Sequence, residues 1–472
     1  MRTLTQNVGL YTDFYEFTMA EGYFLTGKHE ESCTFDYFFR ANPYKGGYVV
    51  FAGISDLLVL LQNFKYEAAD LAYLASVGLR KEFLNYLKDF RFKGKVYSMK
   101  EGEVAFPREP IVRIEGNLVE SQLIETMLLN YLNFQSLIAT KAYRIRSVIG
   151  DKLFADFGLR RAQGLGGIHA SKAAIIGGAN STSNVYAGLQ YNIPVTGTQA
   201  HSWVQSFPNE LTAFREFAKY NPNKTVLLVD TYNTLEIGLP NTITVAKEMR
   251  ERGEELKGIR LDSGDLAYLS KNARKMLDEA GFPGVKIFAS NQLNEHVLKS
   301  LNEQGACIDA YGVGTELVTG AHDAALDGVY KLSECNGIPR MKLSENMEKI
   351  TLPGTKNVYR YYDKKGLFCC DGIHLVKEDM EKAEMIYHPL YHEKKTCVKE
   401  LKKELLLHKV FDNGKILINP NKPEESFQYL KSRMNLLPEE MKRFISPHIY
   451  KVGISEDLYN LQEKLKEKFS LH

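Results

Sequence analysis

A repeating alternation of apolar runs and amphipathic segments between residues 150 and 330 constrains the fold more than any other feature of this sequence. Each run closes on Asp, Ser, Thr, His or Gly. The runs are KLFADFG (152–158), PVTGTQAH (194–201), TVLLVDTY (225–232), GIRLDSGD (258–265), KIFASNQL (286–293) and DAYGVGT (309–315). The amphipathic segments between them are 209–220, 241–252, 265–280 and 294–304. Strand–helix units of roughly 25–35 residues predict a parallel sheet, open or closed into a barrel.

The sequence on either side of this region has a different character. Residues 93–115 alternate apolar and polar side chains, which predicts antiparallel strands, and residues 123–146 have the spacing of a long helix. A chain of 472 residues is also too long for one ordinary core. We therefore expect an N-terminal α/β domain (1–145), an α/β barrel catalytic domain (146–330) and a C-terminal extension (331–472) partly packed on the other two.

Composition argues against several classes of protein. The 60 basic and 58 acidic residues give a net charge of +2, which offers no electrostatic reason to expect nucleic acid or a membrane as partner. Six cysteines without paired CxxC spacing predict neither a disulfide framework nor a structural zinc site. The N-terminus lacks the pattern of a secretory signal, and the most apolar stretch, residues 48–61, is too short to span a bilayer. A cytoplasmic location is expected.

Polar residues follow the predicted strands at their carboxyl ends, where barrel enzymes keep their chemistry. His201 follows one strand together with Thr198, and a neutral imidazole can act as base or nucleophile near pH 7, although a structural role is equally compatible with the pattern. Asp230 and Asp262 end neighbouring strands, where carboxylates bind magnesium, orient histidines, accept ribose hydroxyls or simply cap helices. Arg260, inside a strand, needs an anionic partner if it faces a barrel interior.

Two further segments have features of phosphate sites. Arg160 and Arg161 lie just past a strand end, and a guanidinium matches paired oxygens of phosphate or carboxylate, although exposed arginines are more often only solvated. Gly312 and Gly314 in YGVGT let the backbone approach a ligand closely, and a tight turn is the alternative. Their position after a late strand favours phosphate, because barrels often bind it there.

At these positions the sequence resembles the nicotinate phosphoribosyltransferase family over nearly its full length. The matching motifs are YTDFYEFTM (11–19), FDYFFRANPYKGGYVVFAG (35–53), FADFGLRRAQG (154–164), GGANSTSNVYAG (177–188), GTQAHSW (197–203), LLVDTYNT (227–234), GIRLDSGDL (258–266), SNQLNE (290–295) and YGVGTELVT (311–319). Their common order makes the match far more specific than any single motif.

The resemblance implies a fold and a reaction. The family has an irregular, incomplete TIM-like α/β barrel with an N-terminal α/β (antiparallel-sheet) domain and a C-terminal extension, and it works as a homodimer with a shared active site. Its reaction joins nicotinate to phosphoribosyl pyrophosphate and yields nicotinate mononucleotide and pyrophosphate in NAD salvage. ATP is hydrolysed through a phosphohistidine. Mg²⁺ arrives with phosphoribosyl pyrophosphate and ATP, so no protein metal site is assigned.

The resemblance also implies roles for particular residues. His201 matches the phosphorylated histidine, Asp230 is expected to orient its imidazole, and Asp262 is expected to face the ribose or its magnesium. The nicotinate site would consist of Tyr11, supplied by the partner subunit, with Phe157, Thr198 and Arg260. The phosphoribosyl pyrophosphate site would consist of Arg160, Arg161, Gly312, Gly314 and Thr315.

Other activities fit the sequence less well. Nicotinamide phosphoribosyltransferases place an acid near the substrate amide, whereas residues 181–187 contain none and Asn184 lies near that position; a neutral lining tolerates a carboxylate. Quinolinate phosphoribosyltransferases have a shorter, more basic chain and no ATP step. A non-catalytic interaction protein on the same scaffold would be expected to lose His201, Asp230 or Arg260. Without the resemblance, a phosphosugar-binding enzyme such as an aldolase would come second, but none of the six runs ends in lysine.

Overall fold

The computed structural model describes residues 7–345 and 349–470. They form two compact units: unit 1 contains the described residues up to Thr140 and from Ala325 onward, and unit 2 contains Lys141–Ala324. The mixed α/β class predicted from the sequence is confirmed. The division into three domains stays a prediction. No described helix is both long and apolar enough to cross a membrane.

Helices dominate the N-terminal part of the chain. Its strands are β1 (Ser32–Phe39), β2 (Val49–Val50), β3 (Lys95–Ser98), β4 (Val104–Ala105) and β5 (Val112–Asn117). Its helices are α1 (Phe14–Leu25), α2 (Ile54–Gln62), α3 (Ala68–Ser76), α4 (Lys81–Lys88), α5 (Leu118–Gln122) and α6 (Glu125–Ile149). The strands expected in residues 93–115 and the helix expected in residues 123–146 are both present.

Strands and helices alternate in the middle of the chain. The strands are β6 (Leu153–Asp156), β7 (Ser181–Thr182), β8 (Val226–Leu228), β9 (Gly258–Leu261), β10 (Lys286–Ser290) and β11 (Ala310–Val313). The helices are α7 (Gly166–Ile176), α8 (Val185–Tyr191), α9 (His201–Gln205), α10 (Glu210–Tyr220), α11 (Leu239–Glu251), α12 (Leu266–Glu279), α13 (Glu295–Glu303) and α14 (Thr315–Val318). The four amphipathic segments all form helices, as predicted.

The run PVTGTQAH is the exception among the six predicted strands. Only Val195 pairs, in a single parallel bridge to Thr182 of β7. Pro194 has no N–H to donate to a neighbouring strand. Gly197 weakens a strand because it has no side chain to pack and loses more backbone entropy than other residues. The prediction of a strand here was therefore wrong, and the run reaches His201 as an irregular segment.

Most strands of unit 1 lie in the C-terminal part of the chain. They are β12 (Gly328–Cys335), β13 (Ile338–Pro339), β14 (Lys356–Tyr362), β15 (Phe368–Leu375), β16 (Met385–Tyr387), β17 (Lys395–Cys397), β18 (Lys402–Leu405), β19 (His408–Asp412), β20 (Lys415–Ile416) and β21 (Lys451–Ser455). The helices are α15 (Pro423–Leu436) and α16 (Glu456–Ser470). An antiparallel sheet has the order β13-β12-β1-β5-β3-β19-β20, and a mixed sheet has the order β17-β16-β21-β15-β14-β18. Strands β2 and β4 pair separately.

Unit 2 is built on a six-stranded parallel sheet with the order β7-β6-β11-β10-β9-β8. If this list is read as a circle, its strands follow one another in chain order. The two strands at its ends, β7 and β8, are consecutive in the chain but do not pair with each other. The sheet is not closed among the described residues, so the predicted barrel is not confirmed. Because all six strands are parallel, their carboxyl ends lie at one edge of the sheet. Buried apolar residues of β8, β9 and β10, including Leu227, Ile259 and Ile287, anchor that edge.

Candidate active site

His201 lies at the start of α9, where the irregular segment after Val195 meets the sheet edge. Its Nδ1 is 3.1 Å from the hydroxyl oxygen of Thr231, just past β8. Its Nε2 is 3.8 Å from a carboxylate oxygen of Asp262, just past β9. The side chain is 39% exposed, so the ring is held from two sides and still reachable by a ligand.

Arg260 and Thr198 are brought together as expected for a shared anion site. A terminal guanidinium nitrogen of Arg260 donates to the hydroxyl of Thr198 at 2.5 Å and to the carbonyl of Gln199 at 3.3 Å. Its Nε donates to the hydroxyl of Ser290 at 3.1 Å. These bonds link the segment after Val195 to β9 and β10 at the carboxyl edge. The guanidinium is therefore fixed in direction before any substrate binds.

The carboxylate of Asp262 connects the two groups. It lies 3.4 Å from the guanidinium of Arg260, accepts a hydrogen bond from Ser290, and lies 3.8 Å from the imidazole of His201. Its side chain is 31% exposed. Cation, carboxylate and imidazole thus form one continuous polar surface, as the sequence predicted for neighbouring strand ends.

Asp230 does not make the expected hydrogen bond to His201. One of its oxygens accepts from the backbone N–H of Asp262 at 2.8 Å and from the hydroxyl of Ser263 at 2.6 Å, so the carboxylate faces the end of β9. Thr231, the next residue, contacts the imidazole instead. The other oxygen of Asp230 is buried without a protein hydrogen bond. Asp230 therefore fixes the backbone that carries Asp262.

Phe157 and Gly312 are neighbours at the ends of β6 and β11. The N–H of Phe157 donates to the carbonyl of Val313 at 2.8 Å. A Cβ placed on Gly312 would come within 2.4 Å of the Phe157 ring. Glycine at this position therefore makes room for the aromatic side chain, a packing role distinct from the phosphate contact expected from the sequence.

Of the remaining residues of the expected phosphate site, Arg160, Arg161 and Thr315 are exposed and Gly314 is half-buried. Arg160 and Arg161 lie in a 3₁₀ turn (Leu159–Arg161) that begins three residues after the end of β6, and neither forms an ion pair with a described residue. Gly314 precedes the first residue of α14, Thr315, which is also exposed. Both segments follow adjacent strands, because β6 pairs with β11. They offer two cations beside a turn of backbone amides.

Tyr11 belongs to unit 1 and is not among the residues gathered in unit 2. Its hydroxyl donates to the side-chain oxygen of Asn130 on α6 at 2.7 Å, and its ring meets that of Tyr131 edge to face. Burial raises the pKa of the Tyr11 phenol, which keeps it protonated as the donor. The ring is 44% exposed and so has surface left for another molecule.

Asn184 does not line an open cleft, contrary to the expectation used to separate nicotinate from nicotinamide. Its side chain is 1% exposed and caps α8 by accepting from the N–H of Ala187. Its amide nitrogen lies 3.2 Å from the carbonyl of Gly167 and 3.3 Å from the hydroxyl of Ser171. Both ends of the Asn184 side chain therefore contact the protein. The structure gives no support to the argument that Asn184 favours nicotinate by lining the substrate site.

Asp156 is a buried acid that is linked to Asn184 through the hydroxyl of Ser171. It accepts hydrogen bonds from Ser171, Thr182 and the N–H of Gly158 at 2.7–2.8 Å, and it is fully buried at the end of β6. Burial raises the pKa of the Asp156 carboxyl, while these hydrogen bonds oppose the rise. Its role is to hold β6, β7 and α7 together beneath the site.

The described residues contain no group of three His, Cys, Asp or Glu side chains able to hold a metal ion. The buried, unpartnered oxygen of Asp230 and the exposed carboxylate of Asp262 nevertheless provide oxygen ligands at the site. One or two carboxylates are the usual protein ligands of a Mg²⁺ ion whose other ligands are substrate phosphates and water.

Comparison with known proteins places this chain in a family. Residues 10–133 and 355–462 match the N-terminal and C-terminal domains of nicotinate phosphoribosyltransferase (NAPRTase). The chain is 44% identical to the nicotinate phosphoribosyltransferase of Bacillus subtilis, covering 98% of this chain and 96% of that protein. This chain belongs to the nicotinate phosphoribosyltransferase family. The resemblance drawn from the sequence motifs is confirmed.

Other family members agree. The chain is 36% identical to the nicotinate phosphoribosyltransferase of Dictyostelium discoideum, covering 97% of this chain and 88% of that protein. A crystal structure of human nicotinic acid phosphoribosyltransferase superposes with a TM-score of 0.87 at 31% identity, covering 96% of this chain and 99% of that one. The likeness to this family therefore covers nearly the whole length of the fold.

Sequence reasoning missed Thr231 and Ser290, which hold His201 and Arg260 in place. Both follow or end a predicted strand at the same edge as the residues that were identified. Their position was the available signal, but a lone hydroxyl has no distinctive chemistry in a sequence. Their roles depend on hydrogen bonds to residues at least 30 positions away.

Proposed function

We propose that this protein is a nicotinate phosphoribosyltransferase of NAD salvage. It joins nicotinate to phosphoribosyl pyrophosphate, giving nicotinate mononucleotide and pyrophosphate, and couples the reaction to hydrolysis of ATP to ADP and phosphate. The observation that carries the proposal is that Asp262 lies beside both Arg260 and His201, at 3.4 and 3.8 Å. A partly exposed guanidinium and a partly exposed imidazole thus flank one carboxylate at the carboxyl edge of the parallel sheet.

Arg260 and Thr198 are proposed to bind the nicotinate carboxylate. A fixed guanidinium beside a hydroxyl suits a planar carboxylate, since it offers directed donors with little reorganisation. Phe157 on one side and Tyr11 of the partner subunit on the other would stack on the pyridine ring. This arrangement requires a homodimer with a shared active site.

His201 is proposed to accept the γ-phosphoryl group of ATP on Nε2. When Nδ1 donates its hydrogen to Thr231, Nε2 carries the lone pair. The N–P bond forms as the bond from the γ-phosphorus to the ADP oxygen breaks, and ADP leaves. Water later cleaves the phosphoramidate and releases phosphate. The new negative charge beside Asp262 and Arg260 would reorder these side chains and so couple ATP use to donor binding.

Arg160, Arg161 and the amides of Gly312, Gly314 and Thr315 are proposed to hold the phosphates of phosphoribosyl pyrophosphate. Mg²⁺ carried by the donor would neutralise the departing pyrophosphate, and Asp230 and Asp262 are the carboxylates available to it. The pyridine nitrogen attacks C1 of the ribose as the C–O bond to pyrophosphate breaks. Because that nitrogen carries no proton, the chain needs to orient and stabilise but not to deprotonate.

The circular strand order supports an incomplete barrel as the scaffold. Its single opening lies between β7 and β8. The segment 194–201 lies there: its first residues lie beside β7, and its last residue, His201, contacts Thr231, which lies shortly after β8. On this proposal, the histidine that couples ATP hydrolysis to the reaction lies at the opening of the barrel between β7 and β8.

Measuring products with alternative acceptors tests the proposal. Nicotinate, nicotinamide and quinolinate are each supplied at equal concentration with phosphoribosyl pyrophosphate, ATP and Mg²⁺. We expect nicotinate mononucleotide, pyrophosphate and ADP from nicotinate, and little product from the others. Preferential use of nicotinamide or quinolinate, or no product with any acceptor, would reject the proposal.

A further inference from the structure

A cavity in unit 1 has the composition of an anion site. It has a volume of about 650 Å³ and lies between the turn at Pro107–Arg108, the loop between β16 and β17, and the start of β21. Cavities of ~300–1,000 Å³ are the usual size of small-molecule sites. All of its lining residues belong to unit 1, whereas the candidate active site is in unit 2.

The charges around this cavity are strongly unbalanced. Arg108, Lys394, Lys395 and Lys451 line it, against a single acidic lining residue, Glu393. The three lysines form no ion pair with any residue the structure describes. A concave surface lined by one sign of charge concentrates counter-ions, and its field attracts anions. We call this site the cationic cavity.

His388 adds an N–H donor to the residues that line the cationic cavity. Its Nδ1 accepts the backbone N–H groups of Leu390 and Tyr391, both at 3.1 Å. An acceptor nitrogen carries no proton, so the hydrogen of the neutral ring is on Nε2. Burial and the nearby Lys394 and Arg108 lower the pKa of His388. The imidazole therefore stays neutral and keeps one N–H for a ligand.

Arg108 is held at the cavity by its backbone. Its φ of 75° lies in the left-handed region that residues with a Cβ rarely adopt, and such conformations persist where neighbouring contacts enforce them. Its N–H donates to the carbonyl of Phe39 at 2.8 Å. The fully buried carboxyl of Glu109, next in the chain, accepts the N–H of Phe106 at 2.8 Å. The turn is thus fixed on both sides.

We propose that the cationic cavity binds an oligophosphate, either a free chain or the phosphate chain of a nucleotide. Four cations and one N–H donor exceed what a single phosphate or carboxylate can use, whereas three linked phosphates present many acceptor oxygens. Its lining residues are different from those proposed to hold phosphoribosyl pyrophosphate. Binding here does not depend on the proposed reaction.

Lysine footprinting of the full chain tests this proposal site by site. The protein is acetylated with an N-hydroxysuccinimide ester in the presence and absence of inorganic tripolyphosphate, and the rate at each lysine is read by mass spectrometry. We expect tripolyphosphate to slow acetylation of Lys394, Lys395 and Lys451 about threefold or more, since a bound anion shields the amines. Lys364, an exposed lysine of the same unit, should react unchanged. Equal rates at the cavity lysines with and without tripolyphosphate would overturn the proposal.

A variant and a second ligand sharpen the test. Arg108→Gln should raise the tripolyphosphate concentration for half-protection by about tenfold, whereas the matched variant Lys364→Gln should not change it. Unfolding temperatures of both variants check that they remain folded. ATP tested alongside tripolyphosphate identifies the source: protection at lower ATP concentrations indicates a nucleotide, and equal protection indicates a free phosphate chain. An unchanged half-protection concentration in Arg108→Gln would reject the cavity as the site.

Discussion

The imidazole Nδ1 of His201 lies 3.1 Å from the hydroxyl oxygen of Thr231, three residues after the end of β8. This contact sets the direction of the ring, because His201 is the first residue of α9 and the segment that leads to it is irregular. When Nδ1 is the donor in this contact, the lone pair of the ring is on Nε2. The reactivity proposed for His201 therefore depends on a hydroxyl that is not charged.

Removing that hydroxyl should slow ATP use. Thr231→Val keeps the shape of the side chain but loses the bond, which is worth about 0.5–1.5 kcal/mol. We expect nicotinate-dependent ATP hydrolysis to fall roughly three- to tenfold. The control Thr231→Ser retains the hydroxyl and should stay near the wild-type rate. Equal rates for both variants and the wild type would show that Thr231 does not position the ring.

Replacing Arg260 with lysine should impair nicotinate binding. A lysine keeps the charge but lacks the planar fork that Thr198 and Ser290 hold in place. We expect the KM for nicotinate to rise about tenfold or more, measured by steady-state kinetics. Arg215→Lys, at a surface ion pair with Glu248, is the matched control and should leave the KM unchanged. An unchanged KM in Arg260→Lys would contradict the assignment.

Adding a methyl group at Gly312 should disturb the aromatic wall of the site. The new Cβ would lie 2.4 Å from the ring of Phe157, so the ring must move. We expect Gly312→Ala to raise the KM for nicotinate and to lower the free energy of unfolding by about 1–3 kcal/mol. Gly284→Ala, where no atom lies within 4 Å of the new Cβ, is the control for both measurements. A variant that matched the wild type in both would show that Phe157 has no fixed place in the site.

The pH dependence of stability should contain a contribution from Glu16. Burial raises the pKa of Glu16 to about 7, against hydrogen bonds from Thr12 and Thr126. An acid whose pKa is higher in the folded state than its usual value of 4.5 stabilises the fold at low pH, and this contribution is lost as the pH rises toward 7. The loss is at most about 1.4 kcal/mol per pH unit.

Urea unfolding of the wild type and Glu16→Gln between pH 4.5 and 8 measures this contribution. We expect the wild type to lose more stability than the variant between the two ends of that range. Parallel curves for the two proteins would show that Glu16 does not titrate in this range.

Most elements of the parallel unit could be predicted from the sequence, because the spacing of apolar residues within a short segment distinguishes strands from helices. Five of the six apolar runs form strands, and all four amphipathic segments form helices. The polar residues at the ends of the strands were expected to lie close together, and Arg260 and Thr198 do so. Three details depended on tertiary contacts instead. Asp230 turned toward the backbone of Asp262, Asn184 became a buried helix cap, and the strand order left the sheet open.

The most direct test of the central claim is to locate the phosphoryl group. The protein is incubated with ATP labelled at the γ-phosphate, and acid-labile, base-stable label is mapped by proteolysis; nicotinate-dependent ATP hydrolysis is measured in parallel. We predict label on His201, and in His201→Asn neither label nor nicotinate-dependent ATP hydrolysis, with slow transferase activity remaining. Label on another residue, or full nicotinate-dependent ATP hydrolysis by His201→Asn, would contradict the account.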